Sequence, residues 1–445
     1  MNMSMKTMSL LVCMLAIFLP GFAYQDSFQT FLAKAQQGDV TAQTRVGLAY
    51  YSGRGVAQDY SEAMRWFRKA ADQGDPLAQA EVGVMYQRGL SVTQDYGQAL
   101  TWFQKSADKG NMVAENELGN LYYFGHGVTQ DYGEAATWYE KAADQGWSMG
   151  EVNLGSLYQS GKGVPQDYGK ALDWFRKAAA NNFAMAQNSL GWAYQNGYGV
   201  QQDDTKAVEW YRKASDQGQA DAENNLGFMY SSGRGVALDY NKAIELFLKA
   251  AKQGEAVAES NLGEMYALGH GVSQDYSAAL TWYKKAADQD YAGAEVNIGN
   301  LYLQGHGVTP DNAEAMKWYH KAADNGDAWG EYHVGVLYMD GVGVGADKDE
   351  AAKWLKLAAD QGNIDAKERL VQMSMATDSQ NAQNSHPLKW QEVRELLTNG
   401  VAVKRTATLV KKYGVDFSLS DVLAAELKKL GADDGLLIAI KTSKR

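Results

Sequence analysis

The sequence predicts an all-α fold, a solenoid of nine tandem helix–turn–helix repeats of 36 residues followed by a small helical module. Three periodic columns carry this prediction. A glycine, a tyrosine three residues later and a tryptophan nineteen residues later recur at the same 36-residue step, with Leu246 the one exception among the tryptophans. Such repeats bury their apolar faces by stacking on one another. The nine glycines are Gly47, Gly83, Gly119, Gly155, Gly191, Gly227, Gly263, Gly299 and Gly335.

The composition agrees with a folded helical protein. The chain has 445 residues, of which 45% are hydrophobic, so it is neither disordered nor limited to one small core. Only five prolines interrupt it, which leaves room for long helical stretches. The formal net charge of −11 disfavours nucleic acid as a partner of the whole chain.

The first 23 residues predict a cleaved secretory signal peptide. A basic residue precedes an apolar segment over residues 10–19, and Gly21 and Ala23 place small residues before a cleavage site at Tyr24. The segment is too short for a comfortable membrane span, so no integral span is expected after cleavage, and an uncleaved anchor is the alternative. The single cysteine, Cys13, leaves with the signal peptide, which excludes disulfides in the mature chain. A periplasmic or secreted location is therefore predicted.

Each repeat is predicted to contain two helices. In the first repeat Ala42, Val46, Gly47 and Tyr50 occupy one helical face, and the glycine allows a neighbouring helix to approach closely. The segment Gly-Arg-Gly-Val at 53–56 ends this helix, because its glycines supply the backbone freedom of a turn.

The second helix is predicted to begin at the cap Asp59, with Glu62 completing a capping box. Gly74 ends it in the left-handed conformation, and Asn182 and Asp290, which replace this glycine in other repeats, tolerate that conformation best among non-glycine residues. We interpret the tryptophan column as part of the core and not as a ligand cage. The buried stripe of the first repeat is predicted to be Ala63, Trp66, Phe67, Ala70 and Ala71.

Shorter segments flank the array. Residues 24–39 are similar to the second half of a repeat and are predicted to cap the array, which runs over 40–373 and ends with another half-repeat. Residues 374–388 are rich in Ser, Asn and Gln without periodicity and are predicted to be a polar linker.

Residues 389–445 predict a separate module of short helices, with Ser420 and Asp433 as caps. The module carries eleven Lys and Arg against seven Asp and Glu, so it is basic although the chain is acidic. This charge is consistent with docking onto the acidic array, with attachment to the cell envelope, or with an ordinary solvated surface. The predicted helices cover 390–397, 406–413, 419–430 and 435–441.

The periodic columns resemble those of the Sel1-like repeat, a relative of the tetratricopeptide repeat, in proteins of the secreted bacterial type. In the fourth repeat the resemblance is carried by Leu154-Gly155, Tyr158, Gly161-Lys162-Gly163-Val164, Asp167, Lys170-Ala171, Trp174 and Lys177-Ala178-Ala179. The resemblance implies a right-handed superhelical α/α solenoid whose first helices line a concave groove. The C-terminal module is similar, more loosely, to small helical modules at the ends of bacterial repeat proteins, and no activity follows from that likeness.

Catalytic and metal-binding patterns are weak. His126, His270 and His306 share one turn position, but consecutive turns lie about 20 Å apart in a helical stack, beyond metal-ligand distance. Ser106 and Lys109 match the Ser-x-x-Lys pattern of penicillin-recognising enzymes, yet the partner motifs are missing. We therefore expect no enzymatic activity, metal or cofactor.

The best candidate for a binding surface lies on the first helices. Positions six and two residues before each repeat glycine, and one and five residues after it, form a stripe beside the buried face, here named the first-helix stripe. The Sel1 resemblance implies that this stripe faces the groove. Asparagine amides suit a peptide backbone and aromatic rings supply apolar anchors, whereas the alternative is an ordinary polar helix surface. The predicted partner-binding residues are Asn153, Trp192, Asn225, Phe228, Asn261, Asn297 and Asn300.

Together these features predict a non-enzymatic scaffold, adaptor or regulator of the cell envelope that binds a peptide or protein in the groove. The alternative is an envelope protein that binds peptidoglycan or another glycan, because groove aromatics and a basic module would serve that function too.

Overall fold

The computed structural model describes residues 24–381, 387–398, 401 and 403–443, so the predicted signal peptide lies outside the described residues. The chain divides into two compact units, with the boundary between Leu238 and Asp239 inside the sixth repeat. Regular structure in the described part is helical, and a single parallel bridge joins Leu388 to Val415. The predicted all-α class is confirmed. No helix among the described residues is long and apolar enough to cross a membrane.

The first unit contains the capping half-repeat α1 and then alternating first and second helices, with first helices bearing even numbers. Each helix packs against the next along the chain. Their bounds are α1 Tyr24–Gln36, α2 Val40–Ser52, α3 Tyr60–Asp72, α4 Pro76–Arg88, α5 Tyr96–Ala107, α6 Met112–Phe124, α7 Tyr132–Asp144, α8 Ser148–Ser160, α9 Tyr168–Ala180, α10 Ala184–Asn196, α11 Asp204–Ser215 and α12 Ala220–Ser232.

The second unit continues the alternation from α13 to α20, and α21 to α24 then form the C-terminal module. Their bounds are α13 Tyr240–Lys252, α14 Ala256–Leu268, α15 Tyr276–Ala287, α16 Ala292–Gln304, α17 Asn312–Asp324, α18 Ala328–Asp340, α19 Lys348–Asp360, α20 Ile364–Asn381, α21 Trp390–Thr398, α22 Val403–Tyr413, α23 Asp421–Lys429 and α24 Asp434–Thr442.

The turn inside each repeat is closed by its aspartate cap. The Asp59 carboxylate accepts hydrogen bonds from the backbone N–H groups of Ser61 and Glu62, as predicted. The capping box is incomplete, however, because the Asp59 N–H donates to the Tyr50 carbonyl at 2.9 Å and Glu62 pairs with Arg65. The cap therefore fixes the turn to the end of the first helix as well as starting the second.

The repeat glycines allow a side chain of the second helix to approach the first helix closely. A Cβ atom on Gly47 would lie 2.5 Å from the ring of Phe67, which is fully buried. The same clash recurs at Gly191, where Tyr211 Cδ1 would lie at 2.6 Å. Glycine thus lets the residue twenty positions later pack closely against the first helix. This residue is aromatic in the first eight repeats and is Leu355 in the ninth, and the column fills the core.

The tryptophan column packs less deeply than predicted. Trp66 and Trp102 are buried, whereas the tryptophans of the other repeats are half-buried, so most of the column lies at the margin of the core and not at its centre. The half-buried rings still pack against core clusters, as Trp138, Trp174, Trp210, Trp318 and Trp354 do. A lysine three residues later covers the outer face of the ring, as where Lys141 Nζ lies 3.6 Å from the Trp138 centroid. The reason is geometric. The residue after each tryptophan is the one that contacts the glycine, and it occupies the most buried position of the second helix.

The left-handed positions agree with the prediction from residue type. Asn182 and Asp290 end their helices with φ of 58° and 59°. Both side chains tolerate this region better than most residues do, so the loss of glycine leaves the turn geometry unchanged.

The end of the array and the module differ slightly from the predicted boundaries. Helix α20 continues to Asn381, inside the segment 374–388 predicted as a linker, because Ser, Ala and Met without Gly or Pro permit the helix to continue. Ser420 and Asp433 cap α23 and α24 as predicted. Arg405 on α22 lies 2.6 Å from Glu368 on α20, so an ion pair joins the basic module to the last array helix.

Candidate functional site

Two predicted partner-binding asparagines are engaged within the array. Asn153 on α8 is only 8% exposed, and its Nδ2 donates to Asn116 Oδ1 on α6 at 2.9 Å. Asn225 on α12 is half-buried and donates to Asn188 on α10 at 3.0 Å. For Asn153 this corrects the expectation of a free amide in the groove. The amides instead join consecutive first helices, where an unpaired polar group would be costly.

The remaining predicted asparagines lie on first helices of the second unit and are half-buried. Asn261 on α14 also takes part in an interaction within the chain. Asn300 on α16 accepts a hydrogen bond of 2.7 Å from the phenol of Tyr319, a fully buried residue of the aromatic column. Asn297 precedes Asn300 by one helical turn. The acceptor role of Asn300 serves the core, so binding of a partner by this amide stays a prediction.

The two predicted aromatic anchors differ in accessibility. Phe228 on α12 is 41% exposed. Trp192 on α10 is half-buried and stacks on Tyr198 at a centroid distance of 4.7 Å, and Tyr198 stacks on Tyr168 at the same distance. The Trp192 ring is therefore held by the turn residue Tyr198, which is itself stacked on the first residue of α9. Phe228 is the more accessible anchor of the first unit.

Large exposed apolar side chains also mark the first-helix stripe of the second unit. Leu268 at the end of α14 is 52% exposed, and Trp329 near the start of α18 is 50% exposed. Both occupy stripe positions, but the sequence analysis did not select them. The sequence does contain a sign of the role of Trp329, because other repeats have a smaller or polar residue at its position.

The sequence analysis also missed a buried polar column. Four residues before every repeat glycine lies a Glu or Gln, and all nine are buried. In most repeats the residue thirty positions later donates to this side chain, as Gln145 does to Glu115 and Gln289 to Glu259. Lys109 and Asn181 instead donate to the Gly74 carbonyl and to Ser148. Burial raises the pKa of the Glu115 carboxyl, and the Gln145 hydrogen bond and the Lys141 charge oppose that shift. The constant spacing of thirty residues could have revealed this column.

A second missed feature is a pair of buried carboxyls on the stripe of the first unit. Glu81 on α4 and Glu117 on α6 are 4% and 6% exposed. Burial raises the pKa of Glu81 to about 7, the charge of Arg88 lowers it, and Glu117 raises it further. Glu117 accepts a hydrogen bond from Gln87 at 3.3 Å. Both carboxyls at these stripe positions are therefore largely shielded from solvent.

The residues considered for catalysis have structural contacts. The Ser106 hydroxyl donates to the Pro76 carbonyl at 2.5 Å, and the Lys109 ammonium donates to the Gly74 carbonyl at 2.6 Å. The turn histidines stack on tyrosines, with His126 centred 4.6 Å from the Tyr96 ring. Within the described ranges no group of three or more His, Cys, Asp or Glu is arranged to hold a metal ion.

Comparisons with known proteins agree with the repeat geometry. Among solved structures, the chain is similar to a protective antigen of uropathogenic Escherichia coli with an SLR fold, at 29% identity and a TM-score of 0.52, over 91% of this chain and 93% of that one. It is also similar to a Sel1 repeat protein from Oxalobacter formigenes, at 35% identity and a TM-score of 0.49, over 70% of this chain and 90% of that one. No curated protein matches the chain.

A family model described as the Sel1 repeat matches nine consecutive segments of the chain. They cover residues 40–75, 76–111, 113–147, 148–183, 184–219, 220–255, 256–291, 292–327 and 330–363. These segments coincide with the helix pairs described above and take up most of the chain. The protein therefore belongs to the Sel1 repeat family, and its array is an α/α solenoid of nine Sel1 repeats.

Proposed function

We propose that this protein is a non-catalytic scaffold of the cell envelope that binds a peptide or protein partner on its first-helix stripe. Sel1 repeat proteins are generally scaffolds for protein interactions. The first 23 residues support export, because they combine a basic residue, an apolar segment and small residues in the order of a signal peptide. The similar Escherichia coli protein is a protective antigen, which supports a location that antibodies reach.

The observation that carries the proposal is the exposure of large apolar side chains on the stripe. Phe228, Leu268 and Trp329 are 41%, 52% and 50% exposed on first helices whose other faces are packed. Aromatic side chains in such positions contribute much of the energy of protein interfaces. In this proposal they, and not the asparagines, are the anchors, because Asn153, Asn225 and Asn300 hold the array together.

A matched pair of triple variants tests the proposal. The mature full-length chain, carrying an affinity tag, is used to capture partners from envelope extracts, which are then identified by mass spectrometry. The stripe variant carries Phe228→Ser, Leu268→Ser and Trp329→Ser. The control variant changes three comparably exposed leucines off the stripe, Leu238→Ser, Leu248→Ser and Leu357→Ser.

The stripe variant is expected to lose its partners while the control keeps them, with equal helical content by circular dichroism. Retention of the same partners by the stripe variant contradicts the proposal. Sedimentation with isolated peptidoglycan serves as a second arm. If the wild-type chain captures no protein but sediments with peptidoglycan, the glycan-binding alternative replaces the scaffold.

A further inference from the structure

Trp329 is set on a platform of aromatic rings. Its indole meets the ring of Tyr332 edge to face at 5.7 Å, and the ring of His333 lies 6.3 Å away. His333 in turn stacks on the buried ring of Tyr319 at 4.5 Å. One half of the Trp329 side chain is exposed, so an accessible indole is held by neighbours that belong to the fold.

Two carboxylates act on this platform. The Asp327 carboxylate accepts hydrogen bonds from the N–H groups of Trp329 and Gly330 at 2.9 and 2.8 Å, which fixes it at the start of α18. Asp327 and Asp365 both act electrostatically on His333. Burial nonetheless lowers the pKa of His333 to about 4, so the imidazole is neutral near neutral pH and does not offset the two carboxylates.

The array itself demonstrates what fits beside an indole flanked by a carboxylate. In the third repeat the Lys141 ammonium lies 3.6 Å from the Trp138 centroid and also interacts with the Glu115 carboxylate. Equivalent trios occur in other repeats, with centroid distances of 3.6 Å for Lys177 and 3.9 Å for Lys285. An ammonium placed between a tryptophan face and a carboxylate gains from both.

At Trp329 the indole and the carboxylates are present, but the ammonium is not. None of the lysines and arginines in the described ranges lies over the Trp329 ring. The two charged groups that act on the neighbouring His333, Asp327 and Asp365, are both acidic. The combination of an exposed aromatic face and a negative rim favours a cationic group over a purely apolar one.

We propose that the Trp329 platform binds a lysine or arginine side chain of an extended peptide partner. This inference rests on the scaffold function proposed above and specifies the chemistry of the partner. The cationic side chain lies over the indole, and its charge faces the carboxylates of Asp327 and Asp365. Because Trp329 belongs to the first-helix stripe, the peptide that supplies the side chain runs along the first helices.

The test uses two fluorescein-labelled probes and the mature full-length chain. One probe is a Gly-Ser peptide with three spaced lysines, and the other has acetyl-lysine at the same positions. Acetylation removes the charge and keeps the aliphatic stem. Fluorescence anisotropy at near-physiological salt is expected to give the lysine probe about tenfold tighter binding than the acetylated probe.

Variants localise that preference. Trp329→Ala is expected to abolish it and Trp329→Phe to retain part of it, while Asp365→Asn weakens binding and reduces its dependence on salt. Leu357→Ala and Asp360→Asn, both exposed on the second helix α19 and off the stripe, are the matched controls and are expected to bind like the wild type. Trp329 is exposed, so these variants are expected to fold normally.

Equal affinity of the wild-type chain for the two probes overturns the inference, as does an unchanged preference in the Trp329→Ala variant. The scaffold proposal fails differently, through the absence of captured proteins or through their retention by the stripe variant. If Trp329→Ala keeps every captured partner and the probes bind equally, the scaffold remains and the cation site is wrong.

Discussion

The phenol of Tyr319 donates a hydrogen bond of 2.7 Å to Oδ1 of Asn300 on the neighbouring helix. In the first repeat a phenylalanine, Phe67, occupies the position of Tyr319, and an apolar residue, Leu48, occupies the position of Asn300. In these two repeats the residue types match, since a buried phenol needs an acceptor and a phenylalanine does not. In the fifth repeat the phenol of Tyr211 donates to Gln195 instead.

This pairing predicts a rescue. Asn300→Leu leaves the Tyr319 hydroxyl buried without an acceptor and should destabilise the second unit by about 1–3 kcal/mol. Adding Tyr319→Phe should recover most of that loss, because the double variant recreates the pair of the first repeat. Urea unfolding followed by circular dichroism measures the cycle. Simple addition of the two single effects would mean that the residues are not coupled.

Two adjacent residues, Trp174 and Phe175, test which of their columns lies at the centre of the core. Phe175 is 1% exposed, so Phe175→Ala should cost about 3–5 kcal/mol of local stability. Trp174 is half-buried beneath Lys177, and Trp174→Ala should cost roughly half as much. Hydrogen exchange is the measurement, and neighbouring repeats should lose protection with the Phe175 variant. A larger effect at Trp174 would show that the tryptophan column, and not the column of Phe175, lies at the centre of the core.

The buried carboxyl of Glu81 predicts a pH dependence with a definite sign. Its pKa rises from 4.5 to about 7 on folding, so the folded state holds the proton more tightly than the unfolded state. Its stabilising contribution is complete below about pH 4.5 and is lost as pH rises through 7, a change of roughly 3 kcal/mol.

Glu81→Gln should therefore stabilise the protein at pH 8 and have little effect at pH 5. Urea unfolding of both proteins at the two pH values gives the difference directly, which cancels the titration of carboxyls that they share. A constant difference between variant and wild type at both pH values would show that Glu81 does not titrate in this range.

The predicted export signal gives a mass that can be measured. The mature chain is expected to start at Tyr24, because small residues precede it at positions 21 and 23. Intact mass spectrometry of protein recovered from the periplasm or medium identifies the first residue. A soluble protein that retains Lys6 would rule out cleavage and, with it, the proposed location.

The sequence was sufficient for the repeat and its punctuation but not for the direction of each side chain. The 36-residue period, the aspartate caps and the left-handed conformation at Asn182 and Asp290 depend on local sequence, and these predictions are confirmed. The positions of Trp66 and Phe67 are adjacent and apolar in every repeat, however, and periodicity alone does not decide which of two neighbours faces the glycine.

The candidate site was harder to predict for the same reason. Asn153 and Asn225 have the composition of a binding surface, but pairing between consecutive first helices depends on how the repeats stack. That stacking belongs to the tertiary structure, and the residue types at one repeat position do not specify it. The exposed Trp329 breaks its column, and a deviation of this kind is better evidence of a special role than conformity to the repeat.

The most direct test of partner binding places a photo-crosslinking phenylalanine analogue at single positions of the full-length chain in living cells. Positions 228 and 329 sample the first-helix stripe, and positions 238 and 357 sample comparably exposed sites off it. We predict that the stripe positions crosslink to a common protein and that the control positions do not. Crosslinks from the control positions alone would contradict it and would move the binding surface away from the first helices.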